Sequence, residues 1–181
     1  AGNIRIKDKK AKVITQDCIM CGHCVAICPK AAVSMTGFEE PPEEIEKPAA
    51  LDPGELLKAI QTRRSIRQFT KRRVEPELIA QIIEAGRLTP TGGNAQNVSF
   101  IVLNDRLESA EKLAVGLFRR LLPLMKLVNP LARRMSIDDH FFFKKAPAAI
   151  VIVAPSQVDG ALAAANMELM AEACGLGVLY S

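Results

Sequence analysis

The sequence has few aromatic residues, which make up 4% of its 181 residues and include no tryptophan. It also has no run of about 20 apolar residues, so no transmembrane helix is expected. The first 17 residues carry five Lys or Arg side chains without an apolar stretch, which is unlike a secretory signal. Apolar residues still make up 49% of the chain. The composition therefore predicts a globular protein whose core is filled by Ala, Val, Ile and Leu.

The charge is distributed unevenly along the chain. The net charge of +4 is too small to indicate nucleic-acid binding. Residues 1–36 carry six Lys or Arg against two Asp, whereas residues 37–54 carry six acidic residues against one Lys. Residues 37–54 also contain four prolines, as expected of a stiff, extended linker. We therefore predict a small domain at 1–36, a linker at 37–54 and a larger domain at 55–181.

Apolar periodicity predicts both helices and strands. A short hairpin is expected from Ile4–Lys7 and Lys12–Thr15, and buried strands at Val98–Leu103, Ala148–Val153 and from Val178. One helix is expected near Gly54, with Leu56, Leu57, Ile60 and Ile66 on one face. Further helices are expected from Pro76 to Gly86, from Leu107 to Leu122 with a break at Pro123, and at 160–173. The alternation favours an α+β or α/β domain around a mixed sheet.

Four of the five cysteines lie within 11 residues, at Cys18, Cys21, Cys24 and Cys28, and Pro29 follows. This is the spacing of bacterial ferredoxins, whose thiolates hold iron–sulfur clusters. Crowded cysteines in a chain without a signal favour a metal site, a reducing compartment and thus a cytoplasmic location. A structural zinc site or a set of free thiols is the alternative, but zinc sites usually pair two separated Cys-x-x-Cys units. We therefore predict a ferredoxin-like 4Fe-4S domain at 1–36.

The fourth cysteine raises a question about the ligand set. In two-cluster ferredoxins the last Cys of a run ligates the other cluster, and this sequence has one such run. Either Cys18, Cys21 and Cys24 share a cluster with a Cys upstream of residue 1, or all four cysteines hold one cluster. We favour the first arrangement, because residues 1–17 resemble the hairpin between two such runs. The sequence is then expected to begin after an upstream Cys run.

Two further segments combine residue types that suit a phosphorylated, heteroaromatic ligand. Arg63, Arg64, Ser65 and Arg67 place three cations and a hydroxyl within five residues, enough to surround a phosphate. The loop at 90–97 offers two glycines for close backbone approach, with Thr91, Asn94 and Gln96 as polar partners. Taken separately, the first segment could be a solvated charge patch and the second an ordinary turn.

Together these segments resemble the nitroreductase family of flavoproteins. The resemblance rests on Arg-Arg-Ser-Ile-Arg at 63–67, Pro-Thr-Gly-Gly-Asn-Ala-Gln at 90–96 and Gly-Leu-Gly-Val-Leu-Tyr-Ser at 175–181. The preceding cysteine run resembles the ferredoxin-fused branch of that family. The resemblance implies a nitroreductase-like α+β fold with a mixed sheet and surrounding helices over 55–181. It also implies that the domain continues beyond Ser181 and forms a homodimer.

The resemblance further implies a cofactor, FMN, and the residues that bind it. Arg63, Ser65 and Arg67 match phosphate ligands, with Arg64 alongside, and Thr91, Asn94 and Gln96 match the loop that meets the ribityl chain and ring. Tyr180 and Ser181 match the segment whose backbone approaches the reactive edge of the ring. No catalytic acid or base is indicated, because in this family the flavin carries the chemistry.

The expected function is that of an FMN-dependent oxidoreductase. Electrons would pass from iron–sulfur clusters, supplied by ferredoxin or another low-potential donor, through FMN to a small acceptor such as a nitroaromatic or quinone-like compound. A nicotinamide could instead reduce FMN directly. Two other functions remain open: an electron carrier that serves a partner protein, and a flavin-modifying or dehalogenating enzyme on the same fold.

Overall fold

The computed structural model describes residues 3–38, 42–45, 50–130 and 132–181. The chain divides into two compact units, and each is described by itself. The first comprises Ala1–Asp52 with Pro90–Gln96, and the second comprises Pro53–Thr89 with Asn97–Ser181. Much of the linker expected at 37–54, including residues 39–41 and 46–49, lies outside the described residues.

The first unit begins with an antiparallel hairpin of β1 (Ile4–Lys7) and β2 (Lys10–Val13). Asp8 and Lys9 form its turn, and both have positive φ angles of 53° and 58°. A two-residue turn of this kind matches the twist of the paired strands. The expected hairpin is confirmed, but β2 begins two residues before Lys12 because the turn uses only two residues. A single-turn helix, α1 (His23–Ala26), follows within the cysteine segment.

The described part of the second unit contains four α-helices, two of which begin at residues that favour a helix start. They are α2 (Pro53–Thr62), α3 (Pro76–Arg87), α4 (Leu107–Val128) and α5 (Gln157–Ala173). Pro76 opens α3, where the missing N–H of proline costs nothing. Ser156 caps α5, because its hydroxyl accepts a hydrogen bond from the Asp159 N–H at 3.2 Å. No helix in the described part of the chain is long and apolar enough to cross a membrane.

The core of the second unit lies between a strand pair and the packed helices α3 and α5. The antiparallel pair consists of β3 (Ser99–Leu103) and β4 (Ala149–Val153). Side chains of one face of this pair pack against three buried residues of the helices. The strand residues are Phe100, Ile150 and Ile152, and the helical residues are Ile82, Met167 and Ala171. The helix–sheet layer is the one expected of an α+β domain.

The second face of the strand pair differs from the expectation. Val98–Leu103 and Ala148–Val153 are apolar on both faces and predict strands buried on both sides. In the described chain Ile101 and Val153 are each about half exposed. The prediction of full burial is therefore wrong for this face, because α3 and α5 cover only the other one.

Three further expectations need correction. Ile66 does not continue the apolar face of a helix, because α2 ends at Thr62. Pro123 does not end α4, which runs on to Val128. Pro123 is exposed, so the carbonyl that loses its helical hydrogen bond can bind water instead. Residues from Val178 to Tyr180 form no strand in the described chain.

Candidate functional site

Two segments that are distant in sequence lie side by side in the second unit. The Ile66 N–H donates a hydrogen bond to the Val178 carbonyl at 2.9 Å. A Cβ added at Gly177 would collide with the Ile66 side chain. Glycine at 177 thus permits the close approach that the hydrogen bond requires. The arginine segment at 63–67 is therefore in direct contact with the segment at 176–181.

The end of α5 directs the chain into this contact. Gly175 has a positive φ of 71°, which glycine adopts without strain. The Leu176 N–H donates to the Ala171 carbonyl and the Gly175 N–H to the Glu172 carbonyl, each at 2.9 Å. This pair of hydrogen bonds is a Schellman motif, which ends a helix and turns the chain aside. The turn places Val178 beside Ile66.

The four residues expected at the phosphate have three different environments. Arg63 is held by a buried carboxylate, with its Nη1 2.8 Å from Glu168 Oε1. Arg64 caps the end of α2, donating from Nη1 to the carbonyls of Gln61 and Arg63 at 2.7 and 2.8 Å. Ser65 and Arg67 are exposed, and neither has a hydrogen bond or ion pair among the described residues. Arg67 is thus the cation of this segment that is most available to an anion.

Tyr180 is tied to the same carboxylate as Arg63. Its hydroxyl lies 3.1 Å from Glu168 Oε2 and 2.9 Å from the Ala164 carbonyl, and it can donate to either. Burial raises the pKa of Tyr180 to about 12, and the Glu168 charge and hydrogen bond add to the rise, while the Arg63 charge opposes it. Arg63, Glu168 and Tyr180 therefore form one hydrogen-bonded group, called here the Glu168 group.

The polar loop at 90–96 belongs to the first unit. Within that unit the Asn94 amide donates to the carbonyls of Ile19 and Met20 at 2.9 and 3.1 Å. Gln96 donates from its backbone N–H to Thr91 Oγ1 at 2.9 Å and from its side-chain amide to Asn94 Oδ1 at 3.2 Å. Thr91, Asn94 and Gln96 thus form one connected loop, which is bound to the backbone between Cys18 and Cys21.

The four clustered cysteines are all free thiols in the structure. Cys18 and Cys21 are exposed, whereas Cys24 and Cys28 are partly buried. Cys28 Sγ accepts a hydrogen bond from the Ala32 N–H at 3.3 Å. This backbone hydrogen bond, together with those from Lys30 and Val33, lowers the pKa of the Cys28 thiol. Cys28 is therefore biased toward the thiolate, the form that binds metal.

These residues match the two expected cofactors, FMN and an iron–sulfur cluster, to different degrees. The exposed guanidinium of Arg67 and hydroxyl of Ser65 have donor groups that suit a phosphate. Four thiols are suitable ligands for an iron–sulfur cluster. However, no three His, Cys, Asp or Glu side chains in the described ranges are gathered into a group that could hold a metal ion. The cysteine segment thus has the ligand chemistry of a cluster site without its assembled geometry.

A cavity of about 790 Å³ lies within the second unit, lined in part by Ile66, Tyr180 and Ser181. Core side chains such as Ile82 and Met167 form other parts of its wall. Arg63, Ser65 and Arg67 are not among its lining residues. The cavity therefore lies beside the core, and the residues proposed to bind the phosphate do not line it.

Residues 60–181 match the family model described as the nitroreductase family. The chain belongs to this family. Nitroreductase proteins of two archaea, each provisionally named NADH dehydrogenase/NAD(P)H nitroreductase, are similar to it. The chain is 43% identical to that of Archaeoglobus fulgidus over 70 residues, which are 38% of this chain and 40% of the relative. It is 29% identical to that of Methanothermobacter thermautotrophicus over 136 residues, which are 70% of this chain and 60% of the relative.

Solved nitroreductase structures share the fold. An FMN-dependent nitroreductase from Clostridium difficile R20291 aligns with a TM-score of 0.55 and 23% identity, covering 70% of this chain and 59% of that one. A provisionally named nitroreductase of Desulfovibrio desulfuricans in complex with FMN aligns with a TM-score of 0.50 and 26% identity, covering 71% and 67%. The nitroreductase-like α+β fold is confirmed. The chain spans 40–60% of the length of the two archaeal relatives.

Sequence reasoning missed Glu168, which joins Arg63 to Tyr180. A signal was present, because Glu168 is an acidic residue next to the apolar stripe of Ala163, Met167 and Ala171 on α5. A carboxylate beside such a stripe is expected to be buried and paired. Its pairing with Arg63 could not be predicted, since that residue is 105 positions away in the sequence.

Proposed function

We propose that this nitroreductase-family chain is part of an FMN-dependent oxidoreductase that reduces a small acceptor, such as a nitroaromatic or quinone-like compound. The observation that carries the proposal is the contact between the segments 63–67 and 176–181 through the Ile66–Val178 hydrogen bond. It brings the proposed phosphate ligands Ser65 and Arg67 to the segment that contains Tyr180 and Ser181. The FMN complex of the similar Desulfovibrio desulfuricans protein supports the choice of cofactor.

The residues of this chain would bind and orient the cofactor. Arg67 and Ser65 would hold the phosphate, with Arg63 and Arg64 contributing positive charge. Tyr180 and Ser181 would lie at the reactive edge of the ring, and Thr91, Asn94 and Gln96 would contact the ring and ribityl chain. FMN, when bound, can accept and donate electrons singly or in pairs. We further propose that two copies of the chain form a homodimer.

The proposal includes an iron–sulfur electron input in the segment 1–36. Cys18, Cys21, Cys24 and Cys28 have the ligand spacing of a 4Fe-4S site. The lowered pKa of Cys28 and the N–H donated to its sulfur are in keeping with thiolate ligation. The donor would be ferredoxin or another low-potential one-electron carrier, acting in the cytoplasm.

The cofactors can be tested on the protein purified without oxygen. We expect a flavin absorption spectrum, release of FMN on denaturation, and iron with acid-labile sulfide. FMN release without iron would support the flavin proposal and contradict the proposed iron–sulfur cluster. Zinc in place of iron would also contradict the cluster, and a colourless protein that does not bind added FMN would contradict the oxidoreductase function.

The names of the two archaeal relatives include NAD(P)H, which favours a nicotinamide as an alternative electron donor. In this alternative a nicotinamide passes two electrons to the flavin site directly. Anaerobic mixing with NADH, NADPH or a reduced ferredoxin distinguishes the nicotinamide from the iron–sulfur input. Only the true donor should bleach the flavin spectrum rapidly.

A further inference from the structure

Glu168 is a buried carboxylate that contacts two residues of the proposed flavin site. It is 8% exposed, and its neighbours on α5 include Met167 and Ala171, which are also buried. A buried charge is costly unless it is paired and hydrogen-bonded. Glu168 meets this requirement twice, since one oxygen binds Arg63 and the other lies in hydrogen-bonding range of Tyr180.

We propose that Glu168 is a positioning residue that fixes the Arg63 guanidinium and the Tyr180 hydroxyl in one arrangement for binding FMN. The inference rests on the proposed flavin function. Glu168 does not itself bind the cofactor; it acts through the residues on either side of it.

Arg63 can be held by Glu168 and still face an anion. A guanidinium has five N–H donors in a rigid plane, and the contact with Glu168 Oε1 is made by Nη1. The side chain of Arg63 is 36% exposed, compared with 10% for that of Glu168. The remaining N–H donors of Arg63 are thus available at the surface, in an orientation fixed from the buried side. Such orientation reduces the entropy lost when a ligand binds.

Tyr180 links the same carboxylate to the final segment of the chain. The hydroxyl sits between Glu168 Oε2 and the Ala164 carbonyl, both on α5. The Ile66–Val178 hydrogen bond holds the same segment two residues earlier. Tyr180 and Val178 are therefore two fixed points, and the backbone proposed to approach the flavin ring lies at this end of the chain.

Replacement of Glu168 by Gln tests the proposal, because the side chain keeps its shape and loses its charge. The matched control is Glu172→Gln, which makes the same change at an exposed position one turn later on α5. FMN affinity can be measured by quenching of flavin fluorescence. We expect Glu168→Gln to weaken FMN binding about tenfold, as for loss of one charge-assisted hydrogen bond, and Glu172→Gln to leave it unchanged.

Titration of Tyr180 provides a measurement that needs no cofactor. The sequence contains a single tyrosine, and subtracting the titration of a Tyr180→Phe variant isolates its ultraviolet absorbance. Glu168 helps to raise the pKa of Tyr180 to about 12. In Glu168→Gln the pKa should move down toward the ordinary value of 10, whereas in Glu172→Gln it should not move.

The outcomes separate this inference from the proposed function. Unchanged FMN affinity in a folded Glu168→Gln protein would overturn the inference, and so would tighter binding, which would mean that Glu168 competes with the phosphate. A wild-type protein that does not bind FMN would contradict the proposed function, and the Tyr180 titration would still decide whether Glu168 holds that hydroxyl. If Glu168→Gln does not fold, Tyr180→Phe tests one half of the group: FMN binding about threefold weaker is expected, and wild-type affinity would contradict it.

Discussion

Arg63 and Arg67 carry the same charge four residues apart, but their surroundings differ. Arg63 is paired with buried Glu168, whereas Arg67 is exposed and has no partner in the described chain. Removing the partner of a buried charge lowers stability, whereas removing an exposed, unpaired charge has little effect on folding. Arg63 should therefore contribute to both folding and FMN binding, whereas Arg67 should contribute to FMN binding alone.

Replacing each arginine by Ala should therefore change stability to different extents. Arg67→Ala should weaken FMN binding by about 1.5–3 kcal/mol and change the free energy of unfolding by less than about 0.5 kcal/mol. Arg63→Ala should lower the free energy of unfolding by about 1–3 kcal/mol, less than for a fully buried pair because Arg63 is partly exposed. Flavin fluorescence and urea denaturation measure the two quantities. Full FMN affinity in Arg67→Ala would remove this residue from the proposed site.

The hydroxyl of Tyr180 should make stability depend on alkaline pH. Its pKa is raised to about 12 from an ordinary value of 10, with burial as the largest cause. The folded protein thus favours the neutral hydroxyl, and the stability that this hydroxyl contributes is fully present below pH 10. It is lost as the pH rises toward about 12.

This dependence can be measured by urea denaturation at several pH values. Wild type should lose stability between pH 10 and about 12 more steeply than Tyr180→Phe, which has no ionisable group at this position. Parallel curves for the two proteins would show that the Tyr180 hydroxyl has the same pKa in the folded and unfolded states.

At the level of elements, the end of α5 is connected to the segment after α2 by a contact that depends on Gly177. Replacing Gly177 by Ala should lower the free energy of unfolding by about 1–3 kcal/mol, because the new Cβ would collide with Ile66. Gly116→Ala on α4 is the matched control, since a Cβ there meets no atom within 4 Å. It should raise stability by about 0.5–1 kcal/mol through helix propensity.

Thermal and urea denaturation of both variants test this contact. Shortening Ile66 to Ala in the Gly177→Ala background should recover part of the loss if the collision is its cause. Equal stability of the Gly177→Ala and Gly116→Ala proteins would show that Ile66 and Gly177 do not pack closely.

The sequence pattern best predicted those helices and strands whose start, stop and periodicity signals lie within the element itself. Pro76 and the apolar repeat after it predicted α3, and the Ala-rich run with Gly175 predicted the end of α5. Ile66 was wrongly placed on the face of a helix, although its six-residue spacing from Ile60 does not fit the helical period. Its actual environment depends on Val178, more than a hundred residues later, and local periodicity contains no information about that contact.

The candidate site could be predicted in part for the same reason. The resemblance indicated 63–67 and 176–181 as neighbours of one ligand, and these segments do contact each other through Ile66 and Val178. It did not indicate that Arg63 and Tyr180 share Glu168. Whether Ser65, Arg67 and the loop at 90–96 bind FMN stays a prediction.

At the scale of the whole molecule, the two units carry different ligand chemistry on one covalent chain. The first contains the four thiols and the loop at 90–96, and the second contains the arginine segment and the Glu168 group. Centres joined by a short chain have an effective concentration of roughly millimolar at one another. If the proposed cluster and flavin are both bound, such a connection would favour electron transfer within one molecule over transfer between separate molecules.

The electron input can be tested with Cys21→Ser, which removes one proposed cluster ligand from the exposed part of the loop. If clusters collect single electrons for the flavin, this variant should bind FMN normally, while its flavin should no longer be reduced rapidly by a reduced ferredoxin. Anaerobic stopped-flow absorbance measures that rate. Cys174→Ser is the matched control, because Cys174 lies at the end of α5 outside the cysteine run, and it should reduce like wild type. Equal rates in Cys21→Ser and wild type would show that electrons reach the flavin site by another route, and rapid reduction of both by NADH would identify a nicotinamide as the direct donor.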